Sequence, residues 1–242
     1  MPDPFRAGLP LDATAQPARA GGLSGKAGEI AAVLEHKLVM CEYRFGEALS
    51  IYALAEQFDA SRQPVATAVN YLRDLGYLEI IPQVGCRVVS PTARDIIDFY
   101  RAYSKTEGVI AALAAERFTG AEADRLVAMA EYLPSLPFAT WDDYRRYGEL
   151  VTEFLKLTGQ MARSPALLAR ISGLRRLSRF YLWQGPSERK PAPTTTAFIN
   201  ESRIALARAI LARDAQAAER IADENMGIYP EWVGIVETTP AR

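Results

Sequence analysis

Residues 54–89 read LAEQFDASRQPVATAVNYLRDLGYLEIIPQVGCRVV, and the spacing of their apolar residues decides the fold of this part of the chain. Val65, Val69 and Leu72 recur at i, i+4 and i+7, which places them on one face of a helix. That face can pack against the apolar residues of the preceding segment, residues 54–58. The pattern therefore predicts two packed helices joined by a short turn.

The opposite face of the second helix is polar and free to meet a partner. Ser61 precedes the helix and is expected to cap its first turn through the hydroxyl group. Short polar groups with an arginine at the N-terminal end suit a helix that enters the major groove of duplex DNA. The outward residues are Arg62, Gln63, Ala66, Thr67, Asn70 and Arg73.

A β-hairpin is predicted directly after this helix. Gly76 ends the helix, and two β-prone runs, 77–81 and 86–89, flank a turn over residues 82–85. Gly85 is expected to permit a positive φ or a close backbone approach. Helix, turn, helix and hairpin together form a winged helix-turn-helix, the layout of a DNA-binding domain.

These motifs resemble the GntR family of bacterial transcription regulators, over about residues 26–90. The resemblance implies binding to a palindromic operator as a homodimer. Arg62 would contact guanine or phosphate, and the wing would reach the adjacent minor groove. The expected DNA contacts are Ser61, Arg62, Gln63, Thr67, Asn70, Gly85 and Arg87. The matching motifs are Ser61-Arg62-x-Pro64-Val65, Leu75-Gly76-Tyr77-Leu78, Pro82-x-x-Gly85-x-x-Val88, Gly46 with Leu49, and Leu54-Ala55.

Three positions depart from the family pattern. Phe45 stands where the family usually has proline, and Ala66 and Tyr52 stand where many relatives have arginine. Residues 1–90 carry eight Lys/Arg against ten Asp/Glu, a formal charge of about −2, so weak binding by a monomer is expected. An alternative is a protein-interaction module whose winged helix no longer reads DNA.

Composition indicates a cytoplasmic protein of two domains. The 242 residues are 49% hydrophobic and carry a formal charge of −1, and no run approaches the roughly 18 apolar residues of a membrane span. Cys41 and Cys86 show no metal or redox spacing, and the N-terminus lacks the apolar core of a signal peptide. Residues 1–24 are expected to form a flexible arm, and residues 233–242 a tail.

The chain becomes entirely helical after Ser90-Pro91, a typical helix start. The predicted domain boundaries are 25–90 for the winged helix and 91–232 for an all-α bundle of six to seven helices. Thr119 with Glu122 is predicted to form a capping box, and Thr140 to begin a further helix. The predicted helices are 92–118, 120–132, 140–160, 164–184, 194–213 and 214–232.

The bundle resembles the FCD effector domain of the FadR subfamily. This resemblance implies that the bundle binds a small-molecule effector and takes part in dimerisation. The residues that carry it are Glu107 with Ala111, Ala112, Ala114 and Ala115; Arg208-Ala209-Ile210 with Asp214 and Ala217-Ala218; and Phe154 with Ser164-Pro165.

Many FCD domains hold a divalent metal through one aspartate and three histidines. Aligned on the motifs above, those four positions fall here on Val151, Leu155, Arg203 and Asn225, and the chain's one histidine, His36, lies in the DNA-binding half. The side chains that suit such an ion are missing. The resemblance therefore predicts an effector site without metal or other cofactor.

The replacements suggest what the effector is. A guanidinium can hold a carboxylate bidentately, and Val151 with Leu155 would form an apolar wall. Tyr103 and Glu107 are expected to join Arg203 and Asn225 in this site. The predicted effector is a small organic acid, although Arg203 could equally be a surface residue one register away. Arg175 and Arg176 are interpreted as part of a solvated face.

An enzyme is the weakest of the functions considered. The sequence contains no P-loop, dinucleotide-binding, nucleophile-elbow or zincin motif. The combined prediction is a transcription regulator, acting as a repressor, whose operator affinity is controlled by the bound acid.

Overall fold

The computed structural model describes residues 23–82, 85–137, 139–184, 193–227 and 229. The chain forms two compact units. The first unit is Met1–Thr92 with Arg176–Gln184, and the second unit is Ala93–Arg175 with Gly185–Arg242. The predicted arm lies outside the described residues except for Leu23 and Ser24, and the predicted tail lies wholly outside them.

The first unit is a winged helix-turn-helix, as predicted. The apolar spacing of the helix α3 (Arg62–Asp74) explains its packing, because Val65, Val69 and Leu72 are all at most 1% exposed and share one core with Leu54. The elements of the first unit are α1 (Gly25–Val39), β1 (Ala48–Leu49), α2 (Ile51–Gln57), α3 (Arg62–Asp74), β2 (Leu78–Ile81) and β3 (Gly85–Val88).

The wing is a three-stranded antiparallel sheet in the order β1-β3-β2. The sequence predicted β2 and β3 but not β1, because two residues are too few to show an alternating pattern. Gly85 has φ +140°, and a Cβ there would lie 2.8 Å from the carbonyl oxygen of Leu49. Both the backbone conformation and the close approach therefore require glycine. The turn residues 83–84 lie outside the described part.

The core of the first unit also contains a residue from far along the chain. Phe180 is fully buried there, with its ring centroid 5.2 Å from that of Tyr77 and 5.4 Å from that of Phe45. Gln184 adds a hydrogen bond from its amide to the carbonyl oxygen of Tyr43, at 2.8 Å. Residues 176–184, which the sequence assigned to the second domain, thus pack with the winged helix.

The second unit is helical throughout its described residues, as predicted. α4 (Ala93–Arg117) packs against α6 (Trp141–Met161), α8 (Pro193–Leu211) and α9 (Ala215–Gly227). α5 (Glu122–Tyr132) packs against α6 and α8. No helix in the described part of the chain is long and apolar enough to cross a membrane. The second unit also contains a 3-10 turn (Leu133–Ser135) and most of α7 (Pro165–Trp183), whose last residues belong to the first unit.

The predicted helix caps have different outcomes. Thr140 and Asp143 form a complete capping box at the start of α6. The predicted box of Thr119 and Glu122 is only half present: the Glu122 carboxylate accepts from the Thr119 amide at 2.9 Å, but α5 begins at Glu122 itself. In a capping box the first residue is the N-cap and its partner is the third residue of the helix. Glu122 is instead the first residue of α5, so Thr119 is not its N-cap.

Candidate functional site

The outward face of α3 is the candidate DNA-contacting surface. Ser61, Arg62, Gln63 and Asn70 are exposed, and Thr67 is half-buried. Two of the polar side chains bond to their own helix: the Thr67 hydroxyl donates to the carbonyl of Gln63 at 3.0 Å, and the Asn70 amide donates to that of Ala66 at 2.9 Å. Each retains further hydrogen-bonding capacity toward a partner.

Ser61 is the N-cap residue of α3, but its hydroxyl makes no capping bond within the described structure. That part of the prediction is wrong, and the hydroxyl is left exposed at the helix start. A serine that the sequence analysis passed over does cap: Ser50 accepts from the amide of Tyr52 at 3.2 Å, at the start of α2. Ser50 precedes an apolar helix, which is the signal that could have identified it.

Three arginines lie on or beside this surface, and each already has a partner. Arg73 pairs with Asp74 at 2.7 Å, and Arg87 of β3 pairs with Glu79 of β2 at 2.6 Å. Arg62 instead lies over the ring of Tyr52, with its guanidinium carbon 4.0 Å from the ring centroid. Two of the three positive charges are therefore offset by neighbouring carboxylates, in agreement with the acidic balance of this part of the sequence.

The second unit contains a buried arginine at the position that the FCD resemblance indicated. Arg203 of α8 is 1% exposed, so the interpretation as a surface residue does not fit. Its guanidinium donates to the hydroxyls of Tyr147 (2.6 Å) and Tyr229 (3.1 Å) and to the Asn200 side-chain oxygen (3.3 Å). We call these four residues the Arg203 cluster. Among the described residues, no carboxylate lies within ion-pair distance of this guanidinium, and its Nε has no hydrogen-bond partner.

The other predicted site residues share helical spacing with members of the Arg203 cluster. Tyr147, Val151 and Leu155 are spaced at i, i+4 and i+8 along α6, which places them on one side of that helix. Val151 and Leu155 are half-buried. Asn225 of α9 stands four residues before Tyr229 in the sequence and is 1% exposed. Neither its amide nitrogen nor its oxygen has a hydrogen-bond partner within the described structure.

Tyr103 and Glu107 form a second buried group on α4. Glu107 accepts a bidentate pair from Arg175, with both N–O distances 2.7 Å, and a hydrogen bond from the Tyr103 hydroxyl at 2.8 Å. Burial first, and then the Glu107 charge, raise the pKa of Tyr103 well above its ordinary value, so the hydroxyl stays protonated. Interpreting Arg175 as part of a solvated face was wrong, because the buried Glu107 carboxylate requires a cation.

Aromatic stacking joins the two groups. Tyr100 stacks on Tyr229 with centroids 5.6 Å apart and packs edge-on against Tyr103 at 6.1 Å. These contacts connect Glu107 and Tyr103, through Tyr100 and Tyr229, to Arg203. Three residues of the Arg203 cluster were not predicted from the sequence. Each stands three or four residues from a predicted one, and this helical spacing was the signal that could have identified them: Tyr147 before Val151, Asn200 before Arg203, and Tyr229 after Asn225.

The residues at this site do not fit a divalent metal ion. The described residues contain no group of three or more His, Cys, Asp or Glu side chains that could hold one. The four positions that would supply the ligands hold two aliphatic side chains, an amide and a cation, and a guanidinium repels a second positive charge. His36 lies exposed on α1, in the other unit.

Comparison with known structures supports the same architecture. E. coli McbR/YncC superimposes with a TM-score of 0.66 and 22% identity, over 84% of this chain and 94% of that one. A GntR-type regulator from Rhodococcus sp. RHA1 gives 0.66 and 15%, over 87% and 98%. Lar, which controls expression of the Listeria monocytogenes agr system, gives 0.53 and 14%, over 89% and 99%. At these identities the likeness shows the fold alone.

Comparison with family profiles goes further. No curated protein matches the sequence. The profile described as bacterial regulatory proteins, gntR family, matches residues 26–88, and the FCD domain profile matches residues 98–227, which is 130 of the 242 residues. The chain therefore belongs to the GntR family of bacterial transcription regulators, with the winged helix and FCD effector domain of the FadR subfamily, and its family members are regulators rather than enzymes.

Proposed function

We propose that this protein is a homodimeric repressor that binds a palindromic operator and whose affinity for it is controlled by a small organic acid. The acid binds at Arg203 in the FCD domain without a metal ion. The observation that carries the proposal is the buried guanidinium of Arg203, which has no carboxylate partner among the described residues.

The positive charge of Arg203 favours an anionic effector. Burying a cation is costly unless an anion or several hydrogen bonds compensate it. The Arg203 cluster supplies neutral acceptors, and none of the side chains that accept from the guanidinium carries a negative charge. A carboxylate would provide that charge and can accept from two guanidinium nitrogens at once. This favours an anionic effector over a neutral or cationic one.

The surrounding residues suggest the rest of the effector. Asn225 is buried with both polar atoms unpartnered in the described structure, and such a group costs about 1–3 kcal/mol until a partner satisfies it. Val151 and Leu155 present aliphatic surface on the α6 face that begins at Tyr147. An organic acid with an apolar body and one further polar group suits this combination.

The DNA-binding half is expected to bind weakly as a monomer. Arg73 and Arg87 are each paired with a carboxylate of the same unit, so a phosphate must compete with an existing partner. Two copies on one operator combine their contacts, because the second contact then becomes intramolecular. The proposed base and phosphate contacts are Ser61, Arg62, Gln63, Thr67 and Asn70 of α3, with Gly85 and Arg87 of the wing.

Regulation follows from linkage between the two sites. If the acid binds the DNA-competent and DNA-incompetent forms of the dimer unequally, it shifts their populations by its difference in affinity. Linkage is reciprocal, so operator DNA must change the affinity for the acid by the same factor. We propose that the acid acts as an inducer, which lowers the affinity of the repressor for the operator.

The DNA part is tested by selecting bound duplexes from a random pool at one fixed salt concentration. Wild-type protein should enrich a palindrome that Arg62→Ala fails to enrich, while Arg44→Ala, another exposed arginine of the same unit, should enrich it normally. Failure of the folded wild-type protein to enrich any sequence would contradict the proposal. That result would support the second candidate, an interaction module, which the paired state of Arg73 and Arg87 favours.

The effector part is tested by thermal denaturation with benzoate or hexanoate and with the corresponding uncharged amides. An acid at a hundred times its dissociation constant should stabilise the folded protein by about 2.7 kcal/mol. Arg203→Met should lose this response, and Arg208→Met, on an exposed part of the same helix, should keep it. Equal stabilisation by acids and amides would contradict the proposed role of Arg203.

A further inference from the structure

Tyr52 contacts the guanidinium of Arg62, and the proposed DNA contacts do not include this tyrosine. It lies at the start of α2 and is 63% exposed, which is unusual for a large aromatic side chain. The guanidinium carbon of Arg62 lies 4.0 Å from its ring centroid, and Nη1 of Arg62 donates to its hydroxyl at 2.9 Å. One tyrosine thus binds both the face and one nitrogen of the same arginine.

This arrangement leaves a defined part of the guanidinium available. With Nη1 engaged by Tyr52, the Nε and Nη2 nitrogens of Arg62 have no hydrogen-bond partner among the described residues. These two nitrogens form one edge of the planar group, and such an edge matches the two acceptors of a guanine or the two oxygens of a phosphate. The free edge belongs to the first residue of α3, at the end of the helix that enters the groove.

The neutrality of Tyr52 distinguishes it from the partners of the other two arginines. Arg73 and Arg87 are held by carboxylates, and those negative charges compete with the phosphates of DNA. A tyrosine ring orients a guanidinium through its quadrupole and leaves the positive charge uncompensated. The backbone of Tyr52 is itself fixed, because its amide donates to the capping hydroxyl of Ser50 at 3.2 Å.

We propose that Tyr52 is a positioning residue for DNA recognition, which holds the Arg62 guanidinium with its Nε–Nη2 edge directed outward to a base or phosphate. This inference rests on the proposed DNA contact of Arg62. It predicts that Tyr52 acts on DNA binding through Arg62 and not independently of it.

A double-mutant cycle tests this dependence. The probe is the duplex that wild-type protein enriches from a random pool, and dissociation constants are measured for Tyr52→Ala, Arg62→Ala and the double variant. Tyr52→Ala should weaken binding by about two- to thirtyfold, the range from a cation–π pair at an exposed site to one from which DNA excludes water. In the Arg62→Ala background the same change should have almost no effect. Tyr52→Phe, which keeps the ring but loses the hydroxyl, should recover part of the affinity.

Three controls test whether the effect of Tyr52 is specific to the guanidinium of Arg62. Tyr43→Phe removes another tyrosine hydroxyl of the same unit, one that donates to Gln57 at 3.3 Å, and should bind like the wild type. Circular dichroism should show that all variants are folded. Arg62→Lys retains the charge but not the planar edge, and Tyr52→Ala should have little effect in that background too.

The outcomes are distinguishable. Equal losses from Tyr52→Ala with and without Arg62 would overturn the positioning role and leave the DNA contact of Arg62 standing. An Arg62→Ala variant that binds the selected duplex like the wild type would overturn the proposed contact and this inference together. Strong coupling between the two residues, with partial rescue by phenylalanine, is the result that supports the positioning role.

Discussion

Replacing Phe180 with alanine should destabilise the winged helix, although Phe180 lies about ninety residues beyond it in the sequence. The side chain is 0% exposed within the core of the first unit. Its ring makes T-shaped contacts with Phe45 and Tyr77, at centroid distances of 5.4 and 5.2 Å. The substitution would leave a cavity where three aromatic rings now meet.

The expected magnitude is large relative to the stability of a small domain. Truncating a buried phenylalanine costs about 3–5 kcal/mol, whereas a whole domain is typically stable by about 5–15 kcal/mol. Amide hydrogen exchange localises the effect, because each 1.4 kcal/mol changes an opening equilibrium about tenfold. Exchange in α3, β2 and β3 should therefore accelerate by about a hundredfold to a few thousandfold.

Phe198→Ala is the matched control, since Phe198 is 57% exposed in the second unit. Its effect should lie within about 0.5 kcal/mol, as for most surface substitutions. If Phe180→Ala resembled this control, or if faster exchange were confined to α7, then Phe180 would not belong to the core of the winged helix and the reasoning would be refuted.

Three further predictions concern cysteines, the wing and a buried ion pair. Burial raises the pKa of Cys41 and Cys86 to about 11, from 9.0, so iodoacetamide should alkylate both about a hundredfold more slowly at about pH 8 in folded than in unfolded protein. The stability that these thiols contribute is present below pH 9 and is lost as the pH rises toward 11, which urea denaturation at increasing pH measures. Gly85→Ala should destabilise the first unit by at least about 1–3 kcal/mol, the cost of a strained backbone, in urea denaturation. Glu107→Ala should cost about 3–5 kcal/mol by the same measurement, because it leaves the buried Arg175 cation uncompensated; a neutral effect would mean that water reaches that guanidinium.

Local patterns were sufficient to predict the main elements of the fold. The spacing of Val65, Val69 and Leu72 predicted which face of α3 is buried, and Gly85 predicted the tight approach in the wing. The helix start at Thr140 was equally predictable, because capping depends on residues close in sequence. The predicted start at Ser90-Pro91 was wrong by two residues, since α4 begins at Ala93 and not at Pro91. β1 was missed because its two residues carry no periodicity.

The membership of Phe180 in the first unit could not be predicted from the sequence. Its apolar character is equally compatible with either core, and helical spacing within α7 does not indicate which neighbours the helix meets. The same limit applies to Arg175 and Arg176, two adjacent arginines that resemble a solvated face. Their partners, Glu107 and Glu35, lie far away in the sequence.

The proposed effector site was only partly predictable. The family motifs indicated the positions of Arg203 and Asn225, and the structure buries both. The hydroxyls of Tyr147 and Tyr229 were not identified, because tyrosines on a helix are more often simple core residues. Only the meeting of three helix faces shows that these hydroxyls surround a guanidinium.

The central claim is that the charge of Arg203 connects an organic acid to operator binding. The most direct measurement is the dissociation constant for the selected operator duplex, with and without millimolar benzoate or hexanoate, for wild type, Arg203→Met and Arg208→Met. We expect the acids to weaken operator binding by wild type and by Arg208→Met, but to leave Arg203→Met unaffected and still able to bind DNA. An equal response to the acids by Arg203→Met and wild type would contradict the account.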